Sequence, residues 1–409
     1  MRVFRLIALL LTPVLGFADR LYTYVGDVGP RTAIVAWGSM DNLGNVIGRD
    51  STPLGKAEVR VGGNRIPASR NWVSLTGLQP DTPYPYEVFV NGRRIGQGQF
   101  RTSPEKASKL AFFVIGDYGT GEPPQHELAG HMWTEFERLD KAGNPVRFVL
   151  TTGDNVYNTR MIGMIAAKTG DEDHHWEPKV FQPYQKILER VPFYPVLGNH
   201  DGNETEHQGD LAVYLDNFFF PGGKPARYYR FSYGGLADFF ALDSTSNTLT
   251  GSASPAYSED GEQFRWLKQE LTASKAPWKI AYVHHPPFNA GPGHDSSFDN
   301  LKHFVHLFAQ SGVKAVFSGH EHNFQFSEQN EKTGGVRYVI TGAGGQLRTG
   351  DVTGKMKQAN IAGWAAERHF LVVEIEGRTM KITPVSTRPM VVKDANGSSV
   401  PMPLVVTLN

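Results

Sequence analysis

Asp, Asn, His and Tyr recur in this chain at the points where runs of apolar residues stop. Leu110–Ile115 is followed by Gly116-Asp117-Tyr118-Gly119, and Arg147–Leu150 leads to Gly153-Asp154-Asn155-Val156-Tyr157. Tyr194–Leu197 ends in Gly198-Asn199-His200-Asp201, Lys279–Val283 in His284-His285-Pro286, and Val313–Phe317 leads to Gly319-His320-Glu321-His322. One Asp after a strand would only cap the next helix. Five such ends, all carrying metal-ligand types, exceed what capping explains. Oxygen and imidazole donors without sulfur suit Zn, Mn and Fe. They outnumber the roughly four ligands of a single tetrahedral ion. Two ions sharing a carboxylate fit better, and ions about 4 Å apart can clamp a phosphoryl group for in-line attack.

Composition narrows the chemistry further. The chain has no cysteine, so disulfides, thiolate ligands and cysteine nucleophiles are excluded. Lys+Arg and Asp+Glu both number 41, which leaves no basic field for nucleic acid or an anionic membrane. An anionic substrate must then be held by local charge, and bound metal ions are a usual source of it.

The elements that must carry these residues follow from periodicity. Gln125–Leu139, Phe181–Val191, Gly261–Ser274 and Phe298–Ala309 hold apolar residues at helical spacing, between the short apolar runs. Strands alternating with helices predict an α/β domain over 109–409, closed by a β segment from Gly363 to Ser386. All 14 histidines fall between His126 and His369. Residues 19–103 read instead as a small all-β unit. Ala33, Val35 and Trp37 alternate, as do Tyr84, Tyr86, Val88 and Val90, and Asn91-Gly92 makes a hairpin turn. Ahead of them, Arg2 and Arg5, the apolar Leu6–Leu15 and Gly16-Phe17-Ala18 read as a signal peptide over 1–18, cleaved before Asp19. Pro13 and the shortness of the run oppose a membrane anchor. The expectation is a periplasmic or secreted protein with no membrane span after cleavage.

The blocks Asp117-x-Gly119, Gly153-Asp154-x-x-Tyr157, Gly198-Asn199-His200-Asp201, His284-x-Pro286 and Gly319-His320-x-His322 resemble, in order, those of the purple acid phosphatases. These belong to the calcineurin-like metallophosphoesterases. Ala281 stands where the family usually has valine. Leu78-x-Pro80-x-Thr82-x-Tyr84 resembles the end of a fibronectin type III domain, in which the tyrosine forms a corner. The resemblance implies an α/β (α+β) metallophosphoesterase sandwich, two sheets flanked by helices, preceded by a small all-β sandwich. It implies that Asp117, Asp154, Tyr157 and His322 bind Fe(III). Asp154 would bridge to a divalent Fe, Zn or Mn completed by Asn199, His284 and His320. His200, and His294 by spacing, would be the catalytic histidines. The implied reaction is hydrolysis of phosphate monoesters on a small phosphorylated substrate. A metal-bound hydroxide would attack while a histidine assists the leaving group.

Other residues are set apart from the site. His285 should point away from its neighbour His284. His303 and His306 lie three apart on a helix with no evident acidic partner, and His174 and His175 lie in a polar loop. Gly350–Met356 is too short for a phosphate loop, and Gly342-Ala-Gly-Gly345 shapes the cleft floor. Two alternatives stay open: a phosphodiesterase or nucleotidase of the same superfamily, which Tyr157 opposes, and a non-catalytic binding protein with a degenerate site.

Overall fold

The computed structural model describes residues 20–41, 43, 45–49, 53, 55–157, 159–162, 165–168, 173–201, 212–245 and 258–408. The signal sequence expected over 1–18 lies outside them. Among the described residues no helix is long and apolar enough to cross a membrane.

The apolar runs become strands of two sheets. One sheet has the order Phe193–Pro195, Val146–Thr151, Lys109–Ile115, His369–Glu376, Thr379–Ser386, Leu404–Thr407. Its first three strands are parallel, with Ile115 opposite Thr151 and Thr151 opposite Pro195. The other sheet runs Tyr229–Tyr233, Ala237–Leu242, Trp278–Val283, Ala315–Ser318, Arg337–Thr341, Phe324–Ser327, Ile361–Ala365. There Leu242 pairs with Val283, Tyr282 with Phe317 and Ser318 with Ile340, again in parallel. In-register parallel strands end together, so residues just beyond them line one edge of each sheet.

Both faces of these strands are covered, so they read as continuous apolar runs. In Lys109–Ile115, Phe112 faces the other sheet, 5.3 Å from Phe239 and 6.3 Å from Phe317 between ring centroids. Its neighbour Phe113 faces outward, toward Phe136 at 6.4 Å. Phe136 lies on the helix Pro123–Lys141, which starts with proline at its first turn and buries Leu128, Met132 and Leu139 as well. Each such buried side chain contributes roughly 1.5–3 kcal/mol. Helices Glu262–Ala273, Phe298–Gln310 and Thr353–Ala359 cover the other sheet, bringing Leu267, Phe304 and Met356 into a core with Ala281, Val316 and Tyr338. The result is helices outside two facing sheets. The helix expected over Phe181–Val191 is Gln182–Leu188, entered through a wider π-type turn over Glu177–Phe181 and ended ahead of Pro192.

Residues 20–101 form two four-stranded antiparallel sheets whose inner faces meet through Val35, Trp37, Val59, Tyr86, Val88 and Phe100. Asn91 and Gly92 both adopt positive φ, as the tight hairpin turn requires. The Tyr84 hydroxyl accepts the Gln79 N–H at 2.9 Å, fastening the corner before its strand. The outer face packs on the larger unit. Tyr22 stacks on Phe181 at 4.1 Å, Tyr24 lies 5.9 Å from Phe219, and Trp72 meets Phe219 edge-on at 5.7 Å. The Tyr194 hydroxyl donates to Asp27, and Asp81 accepts from both Arg101 and Arg147 at 2.8 Å.

Candidate metal centre

Where the two catalytic edges meet, the polar ends converge. The Tyr157 hydroxyl lies 3.0 Å from Asp117 Oδ1, 2.9 Å from Asp154 Oδ2 and 3.2 Å from His322 Nε2. Its one proton can serve only one of these three acceptors. Beside them, Asn199 Oδ1 lies 3.0 Å from both His284 Nε2 and His320 Nδ1, and Asp154 Oδ1 lies 3.5 Å from His284 Nε2. Asp154 therefore turns one oxygen to each group.

The backbone is bent to make this possible. Asp117, Asp154 and His320 have φ of 55°, 49° and 68°, a left-handed conformation that costs a non-glycine residue roughly 1–2 kcal/mol. Such strain persists where the surroundings enforce it. The His320 N–H donates to both oxygens of Asp117, at 3.1 and 3.0 Å, and the His200 N–H donates to Asp154 Oδ1 at 2.9 Å. Glycine is needed alongside. A Cβ on Gly198 would sit 2.2 Å from Asp154 Oδ1, and one on Gly319 would sit 2.3 Å from Asp117 Oδ2.

A buried network that the sequence reading did not find holds the Asp154 loop. Asp201 Oδ1 accepts the N–H of Asn155 at 2.6 Å and of Val156 at 3.2 Å, while Oδ2 accepts from Gly198 N and Asn155 Nδ2. The Asn155 side-chain oxygen in turn accepts from Tyr118 and Thr151. Lys179 donates to the Tyr157 carbonyl. The only earlier signal was Asp201 following Asn199-His200 in the third block.

Burial disfavours charge on most groups in this pocket, with Asp154 the exception. Burial, and then the neighbouring Asp154, push Asp117 well above the usual carboxylate range. Burial and the two carboxylates raise the Tyr157 phenol in the same way. Burial also pulls on Asp154, but His284 and His200 outweigh it and hold it down at about 2. Burial lowers His284 and pushes His322 down to about 3. His284 Nδ1 lies 2.8 Å from the Thr152 carbonyl and must donate to it. The neutral ring then aims the Nε2 lone pair at oxygens of Asn199 and Asp154, so acceptors face acceptors. That arrangement fits a cation between them. The donor sets fit two ions, one beside Asp117, Tyr157 and His322, the other beside Asn199, His284 and His320, with Asp154 between.

His200 and His294 flank the pair from opposite sides. The His200 ring lies 4.9 Å from that of Tyr157, with Nε2 3.9 Å from Asp154 Oδ2. The His294 ring stacks on His320 at 3.8 Å.

Two expectations are corrected and one strand end is added. His285 does not point away: its ring lies 4.3 Å from that of His320, and Nδ1 meets the Ser244 hydroxyl at 2.9 Å. The strand stops at Val283, so the alternation used to turn the ring outward no longer applies. Ser244 itself follows Ala237–Leu242, a sixth strand end that was not recognised. His303 has an acidic partner after all, Glu259 at 2.8 Å. The rings of His174 and His175 lie 4.0 Å apart, tilted by 41°. The Gly342–Gly345 loop lies against the Asp117 turn, where Gly344 N donates to Gly116 O and Gly345 N to Asp117 O.

Comparison with known proteins agrees with this geometry. The family profile described as calcineurin-like phosphoesterase matches residues 110–324. Tartrate-resistant acid phosphatase type 5 of Homo sapiens is 27% identical over 311 residues, covering 67% of this chain and 86% of the human protein. Purple acid phosphatase 15 of Arabidopsis thaliana is 24% identical over 306 residues, covering 67% of this chain and 53% of the plant protein. The structure of purple acid phosphatase PPD1 from yellow lupin seeds is similar in fold, with a TM-score of 0.65 at 16% identity. That match covers 95% of this chain and 74% of the lupin chain.

Proposed function

Because this chain belongs to the calcineurin-like phosphoesterase family and is homologous to purple acid phosphatases, we propose that it is an exported acid phosphatase that hydrolyses phosphate monoesters at a dinuclear centre. The observation that carries this reading is Asp154, whose two oxygens face two separate donor sets. Asp117, Asp154, Tyr157 and His322 hold one ion, Fe(III). Asp154, Asn199, His284 and His320 hold the other, a divalent Fe, Zn or Mn.

When bound, such ions supply positive charge to the phosphoryl oxygens and bring the pKa of a water to about 7. The chain's own residues do the rest. The Thr152 carbonyl holds a proton on His284 Nδ1 and so keeps Nε2 available as a ligand. Asp201 fixes the loop that sets the direction of Asp154. His200 and His294 flank the centre and would face the departing alcohol, to which an imidazole can hand a proton near neutral pH. Residues 19–103 are an accessory unit that packs against the catalytic one and contributes none of these groups.

The test is metal analysis of protein purified without chelator, together with hydrolysis of an aryl phosphate. The expected result is two ions per chain, one of them iron, a pink to purple colour, and activity. Tyr157→Phe should remove the colour and leave the fold. A colourless, fully active protein carrying two zinc ions would refute the ferric assignment, and an inactive wild-type protein would refute the reaction.

A further inference from the structure

Arg348 lies in a loop that no motif marks, yet it is built into the site. Its backbone N–H donates to the His322 carbonyl at 2.8 Å. Its Nη1 lies 3.3 Å from Glu321 Oε1 and 3.4 Å from the His320 carbonyl. A Cβ on Gly293 would come within 2.5 Å of its Nε and Nη1. The guanidinium is thus wedged between the turn that carries His320 and His322 and the loop that carries His294. Its side chain is 29% exposed, so part of the guanidinium stays open to solvent beside the His320 turn.

Glu321 neutralises it only in part. That carboxylate is wholly buried, and Oε2 is taken by the N–H groups of Gly293 at 3.1 Å and His294 at 2.8 Å. The contact to Glu321 uses one nitrogen of Arg348. Among the described residues neither Nε nor Nη2 has a hydrogen-bond partner. An adjacent pair of guanidinium N–H groups matches the oxygens of an oxyanion.

We infer that Arg348 is a further substrate-binding residue, gripping non-bridging oxygens of the phosphoryl group beside the dinuclear centre. This rests on the phosphoesterase reading above. A residue that only supported Glu321 would need a single donor, whereas an oxyanion ligand uses the free edge of the fork.

The test uses the metal-loaded full chain with Arg348→Gln and Arg348→Lys. Metal content, calorimetric binding of inorganic phosphate, and KM and kcat for an aryl phosphate are measured. Arg348→Gln should weaken phosphate binding and raise KM by about 10- to 100-fold with both ions retained, and Arg348→Lys should do so less. A rise in KM without weaker phosphate binding assigns the contact to the ester, and a change in both assigns it to ester and product. Shifts of twofold or less with metals retained would overturn the inference. So would loss of an ion in either variant, which would make Arg348 a support for the ligand turn. A wild-type protein that neither cleaves the ester nor binds phosphate would defeat the phosphoesterase reading itself.

Discussion

The two halves of the candidate centre are built from different chemistry. Asp117, Asp154 and Tyr157 give the first half two carboxylates and a phenol, with His322 the one imidazole. The second half adds only neutral donors to the shared carboxylate: an amide oxygen and two imidazoles. Hard anionic oxygens favour a highly charged ion, and imidazoles suit Zn or Fe(II). A centre of this kind would draw two selectivities from strand ends of two sheets, with Asp154 facing both donor sets.

Asp154→Asn should have the largest effect, because it weakens both halves at once. Loss of both ions or of all activity is expected, whereas Asn199→Ala should chiefly deplete the divalent ion. Metal analysis of the two variants checks this, and matching losses of both ions would erase the distinction between the halves.

The flanking histidines extend the contrast. His200 sits beside Tyr157 and His294 on His320, so each attends one half. General-acid assistance is worth about 10²- to 10⁴-fold. His200→Ala should slow alkyl phosphates by that order and spare nitrophenyl phosphate, whose leaving group needs no proton, with iron content unchanged. His294→Ala should do likewise. Equal slowing of both substrates would make the histidine a phosphate-positioning residue.

Asp201 serves the first half by fixing the loop that carries Asp154. Asp201→Ala removes the acceptor of the Asn155, Val156 and Gly198 N–H groups and frees the Asp154 loop. Iron affinity should fall about 10- to 100-fold, with a smaller loss at the other ion. Chelator competition measures both.

The smallest effect lies far from either half. Arg101 first, with Arg147, holds Asp81 down at about 2. A folded-state value below the unfolded one gives stability that is present above about pH 4 and lost as pH falls toward 2. Asp81→Asn should flatten the fall of Tm across that window. Because Asp81 is 46% exposed, the change should be no more than about 2 °C.

The donor residues were readable from sequence because each follows a strand that is apolar on both faces, and in-register parallel pairing delivers such ends to one edge. Where that logic lapses, local pattern no longer reports position. Ala237–Leu242 was overlooked because Asp238 interrupts its apolar run; that carboxylate is buried against Arg230 and Ser274, 2.7 and 2.5 Å away. His285 was misoriented because strand alternation stops with its predecessors. Arg348 and Asp201 act through partners far away in the chain, Glu321 and Asn155, and no local pattern announces such pairings. The helix expected to reach Val191 ends at Leu188, because Pro192 disfavours helical backbone in the residue before it.

The aromatic seam between the two units also bears on the order of synthesis. Tyr22, Tyr24 and Trp72 leave the ribosome first, but their partners Phe181 and Phe219 follow more than a hundred residues later. The small sandwich closes its own core from strands within residues 20–101 and can fold while the rest is still being made. During that interval its outer aromatic face is uncovered. The nascent chain therefore carries an adhesive patch until the Gln182–Leu188 helix and the residues around Phe219 arrive to cover it. A holdase that binds exposed aromatic surface would find its target on this emerging sandwich before any side chain of the candidate centre has been assembled.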